Sequence, residues 1–243
     1  MDNSFLVGLS AQQVLQQRMD ITANNLANMT TAGFKTEHLV MRELSEKPAA
    51  AHDTPNDIAF VDSWMLQRDF GPGSVEQTGN PLDVAVEGPG FFVIQTPNGP
   101  AYTRDGQFSL DAAGQMVTRA GYPVQGGGGP IMIDPTLGDV TISKDGTISQ
   151  GDVVAGKLQV VDFKTPGALE KMGDNLWLAT DEAPLTPASV RVAPGFVEGS
   201  NVNAVRELTD MIEISRAYQS VSKMLSNSDE LRGASIEKLA RLG

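Results

Sequence analysis

Few residues in this 243-residue chain could carry acid–base or metal chemistry, and their spacing suits neither. The two histidines, His38 and His52, lie fourteen positions apart, without the four-residue helical spacing of a paired metal site, and cysteine is absent. No Gly-x-Ser-x-Gly elbow, His-Glu-x-x-His helix or Gly-Lys-Ser phosphate loop occurs. Gly126 to Gly129 neither carries a lysine nor opens a helical pattern, so it makes no phosphate cradle. Asp105 with Asp111, or Asp139 with Asp145, could pair as an acid and a base. These aspartates sit on turn signals, however, where a carboxylate routinely caps backbone N–H groups. Asp145-Gly146-Thr147 lacks the ligand series of a calcium loop. Asn28-Met29-Thr30 has the form of a glycosylation sequon and reads instead as the end of a helix. The expectation is a protein with no catalytic residues, no metal site and no cofactor.

Composition points the same way. Hydrophobic residues make up 40% and charged residues 20%, as in globular chains, while 25 glycines and 14 prolines predict many turns and a β-rich body. The net charge of -12 argues against nucleic acid, whose phosphates need a basic surface. That charge is uneven: residues 1–30 sum to -1, residues 201–243 to 0 and residues 31–200 to -11. Nearly neutral ends can pack many copies closely with little repulsion. No stretch reaches the roughly 18 apolar residues of a membrane span, so no membrane insertion is expected. Met1-Asp2-Asn3-Ser4 lacks the basic opening of a secretory leader, so work outside the cytoplasm would need another export route.

The elements follow from periodicity. Leu15, Met19, Thr22 and Leu26 recur at helical spacing, with Val7, Ala11, Val14 and Ile21 beside them, predicting a helix over 4–29 that stops at Thr30, Thr31 and Gly33. Within residues 35–72, His38–Leu44 reads as extended or helical, Ser45–Asp57 as a mobile loop and Val61–Phe70 as a strand. The two flanks can pair as a long hairpin. Residues 73–198 read as short strands: 82–86, 91–94, 101–103, 108–110, 116–117, 140–142, 158–163, 176–179 and 190–192. Asp-Gly, Asn-Gly and Gly-Pro-Gly turns separate them, and Gly126–Gly129 reads as a flexible loop. Ser200-Asn201-Val202-Asn203 is a capping start for a helix to about 240. Its predicted seam runs Leu208, Met211, Ser215, Tyr218, Ser222, Leu225, Asp229, Arg232, Ile236 and Leu239, with Val205, Ile212, Ile214 and Val221 widening it. The fold class is α+β: long terminal helices (1–34 and 199–243) flank a hairpin or linker (35–72) and a β-sandwich or irregular barrel (73–198). The two helices can pair with each other.

Three blocks carry a resemblance. Ala23-Asn24-Asn25-Leu26-Ala27-Asn28-Met29-Thr30-Thr31-Ala32-Gly33-Phe34-Lys35 resembles the N-terminal signature of the flagellar rod and hook family. Glu198-Gly199-Ser200-Asn201-Val202-Asn203, followed by Met211-Ile212-Glu213-Ile214-Ser215-Arg216-Ala217-Tyr218, resembles its C-terminal signature. Gly79 to Phe92 resembles its first β-domain strand pair. The opening Met-Asp-Asn-x-x-x-Val-Gly-Leu-Ser and the short length look most like the proximal-rod branch, with the distal rod as the competing position.

The resemblance implies a shaft subunit whose terminal helices pack around an export channel. Its partners would be copies of itself, other rod proteins of the proximal and distal rod, and the flagellar type III export apparatus. It would lie in the periplasm-spanning basal body. The helices would order as neighbours cover their apolar stripes. The residues expected to assemble the shaft are Leu15, Met19, Leu26, Asn24, Asn25 and Asn28 on the first helix. On the second they are Asn201, Val205, Leu208, Met211, Ile212, Arg216, Tyr218 and Leu225. Gly33, Phe34 and Lys35 form the turn between helix and body. The three asparagines would bond backbone groups of neighbouring subunits. A cell-wall hydrolase is the competing function of another class.

Overall fold

A computed structural model describes residues 3–44, 60–180, 183–186 and 191–240. The chain divides into two compact units. The first comprises Met1–Ala27, Glu37–Arg68 and Asn203–Gly243, and the second Asn28–Thr36 and Asp69–Val202.

The first unit contains helix α1 (Asn3–Ala27), strands β1 (Glu37–Leu44) and β2 (Phe60–Arg68), and helix α2 (Ala204–Ala240). Asn203 starts α2 as its cap, its side-chain oxygen accepting from Arg206 N at 3.1 Å. The 37 residues of α2 span about 55 Å. The two helices pack antiparallel: Asn25 meets Glu207, Gln12 donates to the Tyr218 hydroxyl at 3.0 Å, and Gly8 lies against Leu225. A Cβ on Gly8 would stand 2.7 Å from Leu225 Cδ2, so glycine permits the close approach. Strands β1 and β2 pair antiparallel from Glu37↔Arg68 to Leu44↔Phe60, with a bulge at Arg42/Glu43. Residues 38–44, open to helix or strand by sequence, are therefore extended. The expected loop Ser45–Asp57, with His52, lies outside the described residues.

The second unit holds the remaining strands, all short. They are β3 (Val75–Gln77), β4 (Val84–Val86), β5 (Phe91–Thr96), β6 (Gly99–Thr103), β7 (Ser109–Leu110), β8 (Met116–Val117), β9 (Gln125–Gly126) and β10 (Gly129–Pro130). After them come β11 (Val140–Ile142), β12 (Thr147–Gln150), β13 (Val153–Lys157), β14 (Val160–Val161), β15 (Glu170–Gly173), β16 (Leu176–Leu178), β17 (Val192–Pro194) and β18 (Phe196–Glu198). The largest sheet is five-stranded and antiparallel, in the order β14-β5-β6-β16-β15, with the ladders β11-β12-β13, β17-β4, β18-β3, β7-β8 and β10-β9 around it. Among the described residues no barrel closes, which removes that alternative. The glycine run 126–129, expected as a loose loop, closes the β9–β10 hairpin, with Gly127 and Gly128 at its tip.

Both faces of the five-stranded sheet are covered. Strand alternation sends Phe92 and Ile94 into one cluster with Val84, Phe108, Met116, Val124 and Ile148. Phe91 and Val93 go to the opposite cluster with Tyr102, Val161, Phe163, Leu169 and Trp177. Edge-to-face ring pairs hold each cluster: Phe92–Phe108 at 5.1 Å on one side, Phe91–Phe163 at 5.8 Å and Tyr102–Phe163 at 4.8 Å on the other. Burial on both faces explains the continuous apolar run Phe91-Phe92-Val93-Ile94 where a half-exposed strand would alternate.

Candidate assembly interface

Helix α2 is apolar on two sides. One side, centred on Ile214 (4% exposed), turns toward α1 and includes Met211, Tyr218, Val221 and Leu225, all half-buried. At 100° per residue the opposite side carries Val205, Leu208 and Ile212, which are 75%, 48% and 53% exposed. Leu208 was expected to open the same seam as Met211; it flanks that seam and faces solvent. The outward apolar stripe ends at Arg216, itself exposed. The hairpin exposes apolar side chains of its own. Val40 and Met65 are direct cross-strand partners on its outer face and are 43% and 70% exposed. Val7 and Leu9 of α1 are similarly open, at 43% and 42%. A single molecule gains nothing from leaving these side chains in water. Each is already partly covered, so burying the rest would contribute about half to three-quarters of the roughly 1.5–3 kcal/mol of a fully exposed side chain.

Asn25 does something other than reach for a neighbour. It is 1% exposed. Its amide nitrogen donates to Glu37 O at 2.8 Å and to Glu207 Oε2 at 3.2 Å, and its oxygen accepts from Glu37 N at 3.0 Å. The side chain thus copies the two-way pairing of a strand neighbour and ties α1 to β1 and α2. Arg68 Nε in turn donates to Glu37 Oε1 at 3.1 Å, extending the clamp to β2. Asn24 is exposed one position earlier, and the Asn28 side-chain oxygen accepts from the Thr31 hydroxyl at 3.2 Å where the helix ends. Of the three asparagines expected to meet neighbours, Asn25 is therefore committed within its own chain.

In the second unit the turn motif and the C-terminal signature meet. Lys35, 1% exposed, donates from Nζ to Glu198 Oε1 at 2.6 Å and to Gly71 O at 2.7 Å. Glu198 also accepts from Gly73 N at 3.1 Å and pairs with Arg104 Nη1 at 3.3 Å. Burial pulls the Lys35 ammonium below the ordinary lysine range, against the opposing pull of Glu198. Asn201 accepts from Thr36 N and Oγ1, both at 2.8 Å, and donates to Asp69 O at 2.8 Å. Gly33 takes φ +68°, and a Cβ there would run into the backbone of Asp105, so glycine is required. Phe34 is 2% exposed, with Lys171 Nζ 5.0 Å from its ring centroid.

The predicted residues thus sort by place. Leu15, Met19 and Leu26 are half-buried on α1. Gly33, Phe34, Lys35 and Asn201 are internal to the second unit. Val205, Leu208, Ile212 and Arg216 are the outward set. Val40 and Met65 were missed, although a strand reading of 37–44 would have set Val40 on the polar side with His38. Three of the four aspartates considered as acids and bases are turn caps: Asp105 accepts from Gln107 N at 3.0 Å, Asp111 from Ala113 N and Gln115 N at 2.8 Å, and Asp145 from Thr147 N at 3.2 Å. Among the described residues no cluster of histidine, aspartate and glutamate is fit to hold a metal, and no helix is long and apolar enough to cross a membrane.

Known families match in the same order along the chain. Residues 5–35 match the flagella basal body rod protein family, residues 85–150 the D1 domain of the flagellar hook proteins FlgE/F/G, and residues 193–238 the C-terminal region of the flagellar basal body rod FlgEFG proteins. The flagellar basal-body rod protein FlgF of Caulobacter vibrioides is 43% identical over 244 residues, covering 100% of both chains. FlgF of Mesorhizobium japonicum is 34% identical, covering 95% of this chain and 96% of its own. The rod protein FlgG of Buchnera aphidicola subsp. Schizaphis graminum is 35% identical, covering 97% and 96%.

Proposed function

Because this chain belongs to the flagellar basal-body rod protein family and is most like FlgF, we propose that it is a proximal-rod subunit that polymerises through its terminal helices. Its work is mechanical rather than catalytic: it transmits torque along the shaft and lines the path of exported subunits. It arrives through the flagellar type III export apparatus and contacts copies of itself and other rod proteins across the periplasm.

The second apolar side of α2, at Val205, Leu208 and Ile212, carries this reading. One side of the helix is consumed by α1, so the other is available to a helix of a neighbouring subunit. Val205, Leu208 and Ile212 at 3–4 spacing form an apolar ridge of about two turns, the kind of surface that packs into the groove of another helix. The internal ties at Asn25, Lys35 and Glu198 fit the same role, since a shaft under torsion needs stiff subunits. A distal-rod position is the second reading. The 43% identity to a FlgF along the full length favours the proximal one.

The test is a deletion strain complemented with an epitope-tagged chain, followed by purification of basal bodies and gold labelling. Label on the shaft close to the inner membrane is the expected result. Label confined to the distal shaft would move the subunit to the second position, and basal bodies without the chain would end the rod reading.

A further inference from the structure

The second unit carries an apolar cavity of about 510 Å³, within the roughly 300–1,000 Å³ of ligand clefts. Its walls are Val75, Val86, Ala193, Pro194 and Phe196. Val75 is 56% exposed and belongs to β3, which among the described residues pairs with β18 on one side only and so leaves a free edge. Two cations, Arg104 and Lys144, and two carboxylates, Glu87 and Glu198, line the cavity. Glu198 is shared by two cations, Lys35 and Arg104, and Lys144 stands exposed on the wall. The Arg104 side chain is 7% exposed, and its buried Nε has no hydrogen-bond partner among the described residues.

A matching projection exists elsewhere in the same unit. The β12–β13 hairpin turns at Gly151 and Asp152, and the next two residues, Val153 and Val154, are 51% and 66% exposed. Consecutive strand residues point to opposite faces, so the tip is apolar on both. Among the described residues β13 is also an edge strand of its ladder, its outer side bonded at Lys157, whose carbonyl accepts from Gly127 N, and open at the tip. An open apolar edge of this kind is what soluble proteins ordinarily blunt or cover. Asp152 at the tip is exposed and negative.

We propose that the Asp152–Val153–Val154 tip of one copy seats in the cavity beside Val75 of the next copy, joining successive β-bodies head to tail. The valines meet the apolar walls, the backbone of β13 runs along the free edge of β3, and Asp152 faces Lys144. Placement of the two features supports this. Lys144 lies in the turn before β12 and Asp152 in the turn after it, so socket and tip mark opposite ends of a strand about 13 Å long. A contact between two different patches does not stop at two copies: it propagates into a ring or, where the rotation does not close, into an open helical filament. The inference rests on the rod reading and adds to the helical contacts a second one, between β-bodies.

The chain contains no cysteine, which makes cross-linking specific. Two tagged forms, Val75→Cys and Val153→Cys, are co-expressed in a strain lacking the natural chain, and purified basal bodies are treated with a short bismaleimide. A dimer carrying both tags is expected, with none from either form alone. Both forms present in basal bodies without a mixed dimer would overturn the proposal and leave helix-mediated assembly standing. Wild-type chain absent from basal bodies would instead sink the rod reading itself. A charge exchange supplies the second measurement. Asp152→Lys or Lys144→Glu alone should lower incorporation by about tenfold, because like charges in a contact oppose docking. The double exchange should restore it. A double variant no better than either single one would also overturn the contact.

Discussion

Replacing Asn25 by alanine should separate an internal clamp from an assembly contact. The side chain is 1% exposed and makes three hydrogen bonds, two to the Glu37 backbone at 2.8 and 3.0 Å and one to Glu207 at 3.2 Å. Alanine strands the Glu37 N–H and C=O and leaves the Glu207 carboxylate, 4% exposed, short of a donor. Each unpaired buried group costs about 1–3 kcal/mol. Alanine's better helix propensity returns only roughly 0.5 kcal/mol, and water entering beside the shortened side chain softens the rest. The net loss should be about 3 kcal/mol in the first unit. Hydrogen exchange of the monomer measures it: amides of β1 and β2 should exchange about a hundredfold faster, since each 1.4 kcal/mol is a factor of ten, while the second unit is unchanged. Asn24→Ala, at the exposed neighbouring position, should leave exchange unchanged or slow it slightly. Equal exchange in the Asn25→Ala and wild-type chains would refute the clamp and return Asn25 to the neighbouring subunit.

Lys35→Met should destabilise the second unit by about 3–5 kcal/mol in urea unfolding, because it leaves Glu198 buried without its main partner. Adding Glu198→Gln should deepen that loss, because it strands the buried Arg104 guanidinium that Glu198 still neutralises, and a double variant as stable as the single one would contradict the shared pairing. Asp105 is pushed above the usual carboxylate range by burial, more than its bond from Gln107 N lowers it. The folded state therefore binds a proton more tightly than the unfolded one, so stability from this group falls as pH rises from the unfolded value of 3.8 through the raised folded one. Asp105→Asn, which can keep the Gln107 bond, should flatten that slope in melting curves and match or exceed wild type at neutral pH. Phe92→Ala should cost about 3–5 kcal/mol and Phe91→Ala a similar amount, each emptying a different cluster; wild-type melting for either would remove it from the core.

The helices and the nine apolar runs of the body were legible because period and run length survive without tertiary context. Strands β3, β9, β10, β12, β13, β15 and β18 were not. Each carries glycine, lysine, glutamate or glutamine, and only pairing with a neighbour makes them strands. The site divides on the same line. Leu208 and Ile212 could be seen as apolar, but two stripes on one helix blur a single period, and only packing decides which side α1 takes. Asn25 and Asn24 are identical in type. Their difference arises from Glu37 and Glu207, distant in sequence, arriving around one of them. Lys35 and Glu198 were each visible in a signature, yet nothing along the chain paired residues 163 positions apart.

The claim that α2 builds the shaft with its outward side is tested most directly by Leu208→Asp combined with Ile212→Asp. Both positions are half exposed in the single molecule, so the monomer should fold as wild type does, with the α1 side of the helix intact. In a covered interface each new carboxylate would lie buried without a partner, at several kcal/mol. Basal bodies from a strain expressing only this variant should lack the chain and end in truncated rods. Complete rods containing the folded double variant at wild-type levels would contradict the account.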